Sequence, residues 1–262
     1  MSRPSTPLYV ETLGSGPPLV LLHGWAMHGG VFAPLVERLR ADFTLHLVDL
    51  PGHGRSRDCA IPLQLEACVE AIGEAVPAPA PWCGWSLGGL VALHAAATRP
   101  VQVPALAMLC ASPCFVRSDS WRHGVSADLF RDFADGLRED YRATLDRFVA
   151  LEAFGSEHAR EEIRALRDDL FAHGEPAASV LADGLELLET ADLRDVLPGL
   201  QVTSLWIAGR RDRLVDPRAM AAAADLAPSA RLEVVEHAGH APFLTHAGQV
   251  ADELSRFLEG AA

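Results

Sequence analysis

The chain has 262 residues, of which 49% are hydrophobic and 22% are charged, and this is enough for one globular core of ordinary size. Its formal net charge of −13 argues against a general nucleic-acid-binding role, and all 22 of its basic residues are arginine. No run of eighteen apolar residues occurs and the segment after Met1 has no apolar stretch, so we expect neither a membrane span nor a secretory signal peptide.

The first 113 residues alternate between short apolar runs and helical patterns. The runs predict strands at 8–13, 19–22, 43–48, 81–85 and 105–110. Helices are predicted between them at 31–39, 63–76 and 87–98. This alternation predicts an α/β fold with a mostly parallel central sheet flanked by helices.

The pattern changes between residues 114 and 198, where no strand-like run appears. Helices are predicted there at 127–137, 141–154, 157–171 and 177–189. A block of this length is too long for a loop, so it predicts a helical cap inserted between two strands. Strands at 203–208 and 231–235 and helices at 218–226 and 249–258 follow. We therefore expect a core domain of residues 1–113 and 199–262 and a cap of residues 114–198.

A G-x-S-x-G sequence, Gly84-Trp85-Ser86-Leu87-Gly88, lies between a predicted strand and a predicted helix. This context is typical of a nucleophile elbow, in which glycines permit a tight turn and the serine hydroxyl stands at the carboxyl edge of the sheet. The alternative is a glycine-rich turn whose serine only caps the helix. The strand and helix on either side favour the nucleophile.

A serine nucleophile needs a base and a carboxylate that orients the base. Ser86, Asp212 and His240 occur in the order expected of the α/β-hydrolase arrangement. Asp216 is an alternative acid, but its place before a proline favours a helix cap. His237 is an alternative base, but His240 lies deeper in its loop.

The oxyanion of the reaction needs two backbone N–H donors. We expect them from Leu87, at the start of a helix, and from Trp25, which follows His23 and Gly24; plain core packing is the alternative for Trp25. His23 is interpreted as a backbone-supporting residue and Asp49 as a structural loop carboxylate. A serine rather than an aspartate at the elbow argues against haloalkane dehalogenases and epoxide hydrolases of this fold.

With these motifs the chain resembles the α/β-hydrolase superfamily over essentially its whole length. More narrowly, it resembles the pimeloyl-acyl carrier protein methyl ester carboxylesterases of biotin synthesis, the BioH family. The matching stretches, which include Gly-Trp-Ser-Leu-Gly-Gly and Ser-Pro-Cys-Phe, are residues 21–25, 43–52, 84–90, 112–115, 147–151, 184–188 and 240–243.

The resemblance implies cleavage of a methyl ester, with release of methanol and pimeloyl-acyl carrier protein, and without a cofactor or metal. It implies a triad of Ser86, Asp212 and His240, with Trp25 and Leu87 as oxyanion donors. It also implies an acyl channel lined by Phe148, Val149, Ala150, Leu151 and Glu152. Glu152 departs from the family by placing a negative charge where a neutral amide is expected.

An acidic carrier protein would need basic residues near the channel mouth. Arg160, Arg164 and Arg167 are spaced so that they share one face of a predicted helix, and Arg147 lies on the preceding helix. These four arginines are the candidate contacts with the carrier protein. The alternative is a solvated helix face on which Glu157 and Asp168 pair with Arg160 and Arg164. The cap holds 10 arginines and 19 acidic residues, so only a local patch could attract an acidic partner.

Three further expectations concern alternatives and setting. A broad short-chain carboxylesterase or a C–C bond hydrolase of the same fold would use the same triad, and a hydrolase-fold ligand receptor could retain it. Five cysteines without regular spacing favour free thiols in a reducing cytoplasm. We expect a monomer.

Overall fold

One sheet of seven strands organises the computed structural model, which describes residues 7–173 and 176–260. The strands are β1 (Val10–Gly14), β2 (Pro18–Leu22), β3 (Thr44–Val48), β4 (Trp82–Trp85), β5 (Ala105–Leu109), β6 (Thr203–Gly209) and β7 (Ala230–Val235). Their order in the sheet is β1-β3-β2-β4-β5-β6-β7. Strand β1 pairs antiparallel with β3, and the other neighbours are parallel, as the sequence predicts.

The described residues form ten α-helices. They are α1 (Ala33–Leu39), α2 (Leu65–Ala75), α3 (Leu87–Thr98), α4 (Ala127–Glu139), α5 (Tyr141–Glu152), α6 (Ala159–Leu170), α7 (Ala178–Thr190), α8 (Pro217–Leu226), α9 (Pro242–Thr245) and α10 (Ala247–Glu259). The short α9 and a 3-10 turn at Gly29–Phe32 were not expected from the sequence. None of these helices is long and apolar enough to cross a lipid bilayer.

The side of the sheet on which successive strands are added changes between β2 and β4. From β2 the chain crosses to β3 on one side, and from β4 it crosses to β5 on the other. Because parallel crossovers are right-handed, α1 and α3 lie on opposite faces of the sheet. Ligands of such sheets bind at this reversal, beyond the carboxyl ends of the strands.

The central strands are covered on both faces. All residues of β4 and β5 are buried, as are Leu19 to Leu22 of β2. Burial of each such leucine or valine contributes about 1.5–3 kcal/mol relative to exposure. Helix α3 packs closely on this layer because its residues are small. A Cβ on Gly89 would lie only 2.3 Å from the Cβ of Ala111.

Helices α4 to α7 lie between β5 and β6 along the chain, and we refer to them as the cap helices. Helix α4 packs against α5 and α7, and α5 packs against α6. Their apolar side faces the sheet edge, where Phe148 lies 4.5 Å from Trp25 between ring centroids. The cap therefore covers the carboxyl ends of β2 and β4.

Candidate active site

Ser86 occupies a strained turn between β4 and α3. Its φ of 53° and ψ of −118° lie in a region that costs a side-chain-bearing residue roughly 1–3 kcal/mol. Glycine is required on both sides, because a Cβ on Gly84 would lie 2.2 Å from the Gly88 oxygen and a Cβ on Gly88 would lie 2.4 Å from the Leu22 oxygen. The turn thus has the geometry of a nucleophile elbow.

Asp212 and His240 form a buried pair at the same edge. Asp212 follows β6, and His240 lies in the loop between β7 and α9. The Nδ1–H of His240 donates to Oδ2 of Asp212 at 2.7 Å. The other oxygen of Asp212 accepts from the N–H groups of Leu214 and Val215 at 2.8 and 2.9 Å, so the carboxylate is fixed at both ends.

The hydrogen-bonding state of His240 leaves its Nε2 available to take a proton. Within the described chain this nitrogen is buried and has no hydrogen-bond partner, so a bond from the Ser86 hydroxyl is not formed in this state. The loop is held by the Trp85 indole, which donates to the His240 carbonyl at 2.9 Å. An imidazole with Nδ1 protonated and Nε2 unprotonated is suited to general-base catalysis.

The alternative acid and base both lie elsewhere. Asp216 accepts from the Arg218 N–H at 2.8 Å and caps α8, as the sequence predicts. His237 is exposed, and its Nδ1 lies 3.0 Å from Oε1 of Glu157. Neither residue reaches the buried pair.

The loop after β2 lies against the elbow. A Cβ on Gly24 would lie 3.0 Å from the Trp85 ring and 3.3 Å from the Ser86 Cβ, so any larger residue would have to displace these side chains. His23 supports the loop by donating from Nδ1 to the Gly24 carbonyl at 2.7 Å and accepting the Leu50 N–H at Nε2 at 2.9 Å. Burial lowers the pKa of His23 to about 3, so it is a neutral support.

The candidate oxyanion donors flank this contact. Leu87 is the first residue of α3, where an N–H has no acceptor within the helix. Trp25 follows Gly24, and its side chain also belongs to the core, since its indole donates to the Leu181 carbonyl at 2.8 Å. Both functions considered for Trp25 from the sequence are therefore compatible.

Asp49 is a structural carboxylate, as expected. It accepts from the N–H groups of Gly29 and Arg55, both at 2.8 Å, and from the Arg55 guanidinium. Burial alone would raise the pKa of Asp49, but the bonds from Arg55 lower it to about 2. This carboxylate is thus fully engaged away from His240.

The cap helix α5 presents only part of the predicted lining segment to the interior. Phe148, Val149 and Glu152 are buried on one helix face, and Leu151 is half-buried. Ala150 is exposed, which corrects its inclusion in a continuous lining. The reason is the helical period, since five consecutive residues cannot share one face.

Glu152 lies in the interior of the protein. It is fully buried, and neither carboxyl oxygen has a hydrogen-bond partner among the described residues. Burial raises the pKa of Glu152 well above its usual value, and the nearby Asp212 and Glu162 raise it further. Burial therefore favours the protonated, uncharged form of Glu152, which resembles the amide expected from the family more closely than a carboxylate does.

Two residues near the Asp212–His240 pair were not identified from the sequence. Cys110 directly follows β5, and its Sγ lies within 4.8 Å of a carboxylate oxygen of Asp212 and a ring nitrogen of His240. Glu162, on α6, is buried beside the His240 loop. Only the strand-end position of Cys110 could have drawn attention to it, and Glu162 depends on how the cap docks.

The candidate docking arginines are all exposed. Arg167 bonds to Asp146 on α5 at 2.9 Å, and Arg147 bonds to Thr144 and lies over the Phe133 ring. The structure forms no ion pair of Arg160 or Arg164 within the described ranges 7–173 and 176–260. The alternative of pairing with Glu157 is wrong, because Glu157 bonds across to Arg211 at 2.8 Å.

The whole site is closed in this structure. Ser86 is 1% exposed and His240 is 0% exposed. The rings of Trp25, Phe133 and Phe148 pack together above it, with centroid distances of 4.5–6.4 Å.

All five cysteines have free thiols.

Comparison of sequences relates the chain to named enzymes. A family model described as the alpha/beta hydrolase fold matches residues 17–247. A pimeloyl-acyl carrier protein methyl ester esterase of Xanthomonas campestris pv. campestris (strain B100) is 59% identical over 251 residues, covering 96% of this chain and 98% of that protein. The enzyme of the same name from Stenotrophomonas maltophilia (strain R551-3) is 56% identical over 253 residues, covering 97% of each.

Comparison of structures relates the fold to solved hydrolases. An esterase from Exiguobacterium antarcticum has a TM-score of 0.87 at 25% identity, covering 96% of this chain and 95% of that chain. A bromoperoxidase from Bacillus anthracis has a TM-score of 0.86 at 20% identity, with the same coverage, and this likeness concerns the fold alone.

Proposed function

Because the chain belongs to the α/β-hydrolase family, and within it to the pimeloyl-acyl carrier protein methyl ester esterases, we propose that it cleaves the methyl ester of pimeloyl-acyl carrier protein. The products are methanol and pimeloyl-acyl carrier protein, and the reaction belongs to biotin synthesis. The chain would act as a serine carboxylesterase.

The observation that carries this proposal is the buried bond between His240 and Asp212 next to the strained turn at Ser86. It leaves Nε2 of His240 as the free basic nitrogen of the site. A base in this state and a serine raised on an elbow support acyl transfer through a covalent intermediate.

In the first half of the reaction, Ser86 Oγ attacks the ester carbonyl while Nε2 of His240 takes its proton. Asp212 stabilises the imidazolium through the 2.7 Å bond. The backbone N–H groups of Trp25 and Leu87 would hold the oxyanion, each donor contributing roughly 3–4 kcal/mol to stabilisation of the transition state.

The tetrahedral intermediate then collapses, and His240 returns the proton to the leaving methoxide, which departs as methanol and completes the first half. In the second half, water attacks the acyl-enzyme while His240 takes its proton. His240 then gives this proton to Ser86 Oγ, which leaves, and the carboxylic acid product is freed. Proton and acyl group balance without a metal or an external cofactor.

The wider setting is part of the same proposal. We assign residues 1–113 and 199–262 to the catalytic core and residues 114–198 to a cap that contacts the acyl chain. Phe148, Val149 and Glu152 would line the channel, and Arg147, Arg160, Arg164 and Arg167 would meet the acidic carrier protein. The proposed setting is a monomer in the cytoplasm, without nucleic-acid or membrane binding; the free thiols support the reducing compartment.

The test is hydrolysis of pimeloyl-acyl carrier protein methyl ester by the purified protein, measured as methanol release. A p-nitrophenyl short-chain ester is assayed alongside. We expect strong preference for the carrier-bound ester, and Ser86→Ala should lower kcat by ~10⁴-fold or more on both substrates.

Each other outcome identifies an alternative. Turnover of the small ester alone would retain the triad and retire the carrier-bound substrate in favour of a broad esterase. Turnover of a ring-cleavage product in place of either ester would indicate a C–C bond hydrolase. Ligand binding without Ser86-dependent turnover would indicate a receptor.

A further inference from the structure

The cap and the loop that carries His240 are joined by direct hydrogen bonds. The His240 N–H donates to the carbonyl of Glu152, the last residue of α5, at 3.2 Å. The Glu157 N–H donates to the His237 carbonyl at 3.3 Å. The turn between α5 and α6 therefore lies directly on the loop that supplies the base.

Glu162 connects the two segments with its side chain. Its Oε1 accepts from the hydroxyl of Ser156 at 2.6 Å and from the hydroxyl of Thr245 at 2.9 Å. Ser156 belongs to the turn of the cap, and Thr245 ends α9, which begins two residues after His240. One buried oxygen thus bonds the cap to the far side of the His240 loop.

The second oxygen of Glu162 lies on the near side of the same loop. It is buried without a hydrogen-bond partner among the described residues, and a Cβ on Gly239 would lie 3.6 Å from it. Gly239 directly precedes His240, so the carboxyl group that bonds to Thr245 after the imidazole also lies near the residue before it.

We propose that Glu162 is a positioning residue for the general base. This proposal rests on the role proposed above for His240. It adds that a cap residue, and not only the core, fixes the position of the imidazole. A small shift of a base can cost about 10²-fold in rate, because proton transfer requires hydrogen-bond geometry.

The bonding pattern predicts which substitution is tolerated. Both donors are hydroxyls and Glu162 only accepts from them, so the amide oxygen of glutamine can replace Oε1. Glu162→Gln should keep the loop in place, whereas Glu162→Ala removes the acceptor that two half-buried hydroxyls share.

The experiment compares these variants on the p-nitrophenyl ester. We expect Glu162→Ala to lower kcat by roughly 10–100-fold with KM within about 2-fold of the parent, and Glu162→Gln to retain most of kcat. Thr245→Val removes one donor without changing side-chain size and should lower kcat less. Glu161→Ala is the matched control, since Glu161 is the exposed neighbour on the same helix.

A spectroscopic readout separates positioning from catalysis. The Nδ1–H of His240, bonded to Asp212, should give a downfield proton resonance in NMR spectra. We expect this resonance in the parent, Glu162→Gln and Glu161→Ala, and its loss or broadening in Glu162→Ala. It can be recorded even if the parent proves inactive on the carrier-bound ester, so failure of the proposed substrate and failure of this inference remain distinct.

Two results would overturn the inference. One is an unchanged resonance and kcat in both Glu162→Ala and Thr245→Val, with loss of thermal stability only, since this is a purely structural contribution. The other is equal loss of kcat in the alanine and glutamine variants. If Glu162→Ala does not fold, Thr245→Val alone decides between these outcomes.

Discussion

Glu152 is a buried acid whose carboxyl oxygens have no hydrogen-bond partner among the described residues. It is fully buried, and burial together with Asp212 and Glu162 raises its pKa well above the usual value of 4.5. The folded state therefore binds this proton more tightly than the unfolded chain does. Stability from the bound proton is complete below about pH 4.5 and is lost as pH rises towards the folded pKa.

We predict that Glu152→Gln removes this loss. The unfolding free energy of the parent should fall between pH 5 and pH 8 by at most about 1.4 kcal/mol per pH unit from this group, and that of the variant should fall less. Urea unfolding at several pH values measures the difference. Glu161→Gln, at an exposed site, should follow the parent; parallel curves for all three proteins would show that Glu152 is ionised in the fold.

At the scale of elements, the elbow depends on backbone contacts that no side chain can relieve. A Cβ on Gly84 meets the carbonyl oxygen of Gly88 at 2.2 Å, and both belong to the β4–α3 turn. Gly248, in the first turn of α10, has nothing within 4 Å of a Cβ. Substitution of the two glycines therefore compares the cost of a steric clash with the backbone, at Gly84, with the effect of helix propensity alone, at Gly248.

We predict that Gly84→Ala destabilises the protein by about 3 kcal/mol, since the added methyl overpacks rigid backbone. Gly248→Ala should stabilise it by about 0.5 kcal/mol, because alanine restricts the unfolded chain and favours a helix. Thermal unfolding of both variants provides the comparison. Equal effects at the two sites would mean that the β4–α3 turn can rearrange.

The elements themselves were largely predictable from the sequence. Every strand and nine of the ten described helices coincide with predicted segments, because buried strands are short apolar runs and helices have their own period. The remaining α9 follows from Pro242 and the loop it closes, not from periodicity. Helix α1 begins at Ala33, after a 3-10 turn, with proline in its first turn.

The site was predictable only where chemistry is local. The elbow and the residues after strand ends can be recognised in sequence, and the structure brings Asp212 and His240 together. The exposure of Ala150 and the partner of Glu157 could not be predicted, because both depend on how the cap lies on the core. The contacts of Glu162 with the His240 loop could not be predicted for the same reason.

At the scale of the whole molecule, a net charge of −13 opposes an acidic partner, and the arginines of α6 are the exception. Arg160 and Arg164 are exposed, and within the part of the chain that the structure describes they form no ion pair. Cations without an internal partner are free to meet charges on another protein.

We predict that reversing both residues, in Arg160→Glu with Arg164→Glu, raises KM for the carrier-bound ester at low salt and leaves the p-nitrophenyl ester unaffected. Added salt should reduce the difference, since exposed charges are screened. Steady-state kinetics on the two esters gives the comparison. An equal change on both would place the effect on the fold of the cap rather than on docking.

The burial of Ser86 and His240 separates entry from reaction. The site behaves as a compartment that must open to fill and open again to empty. Of the two products, methanol passes through a far smaller opening than an acyl chain on its carrier, so we expect departure to be ordered by size. The acyl group then stays covered between the two halves of the reaction, where nucleophiles as small as water reach it and larger ones do not.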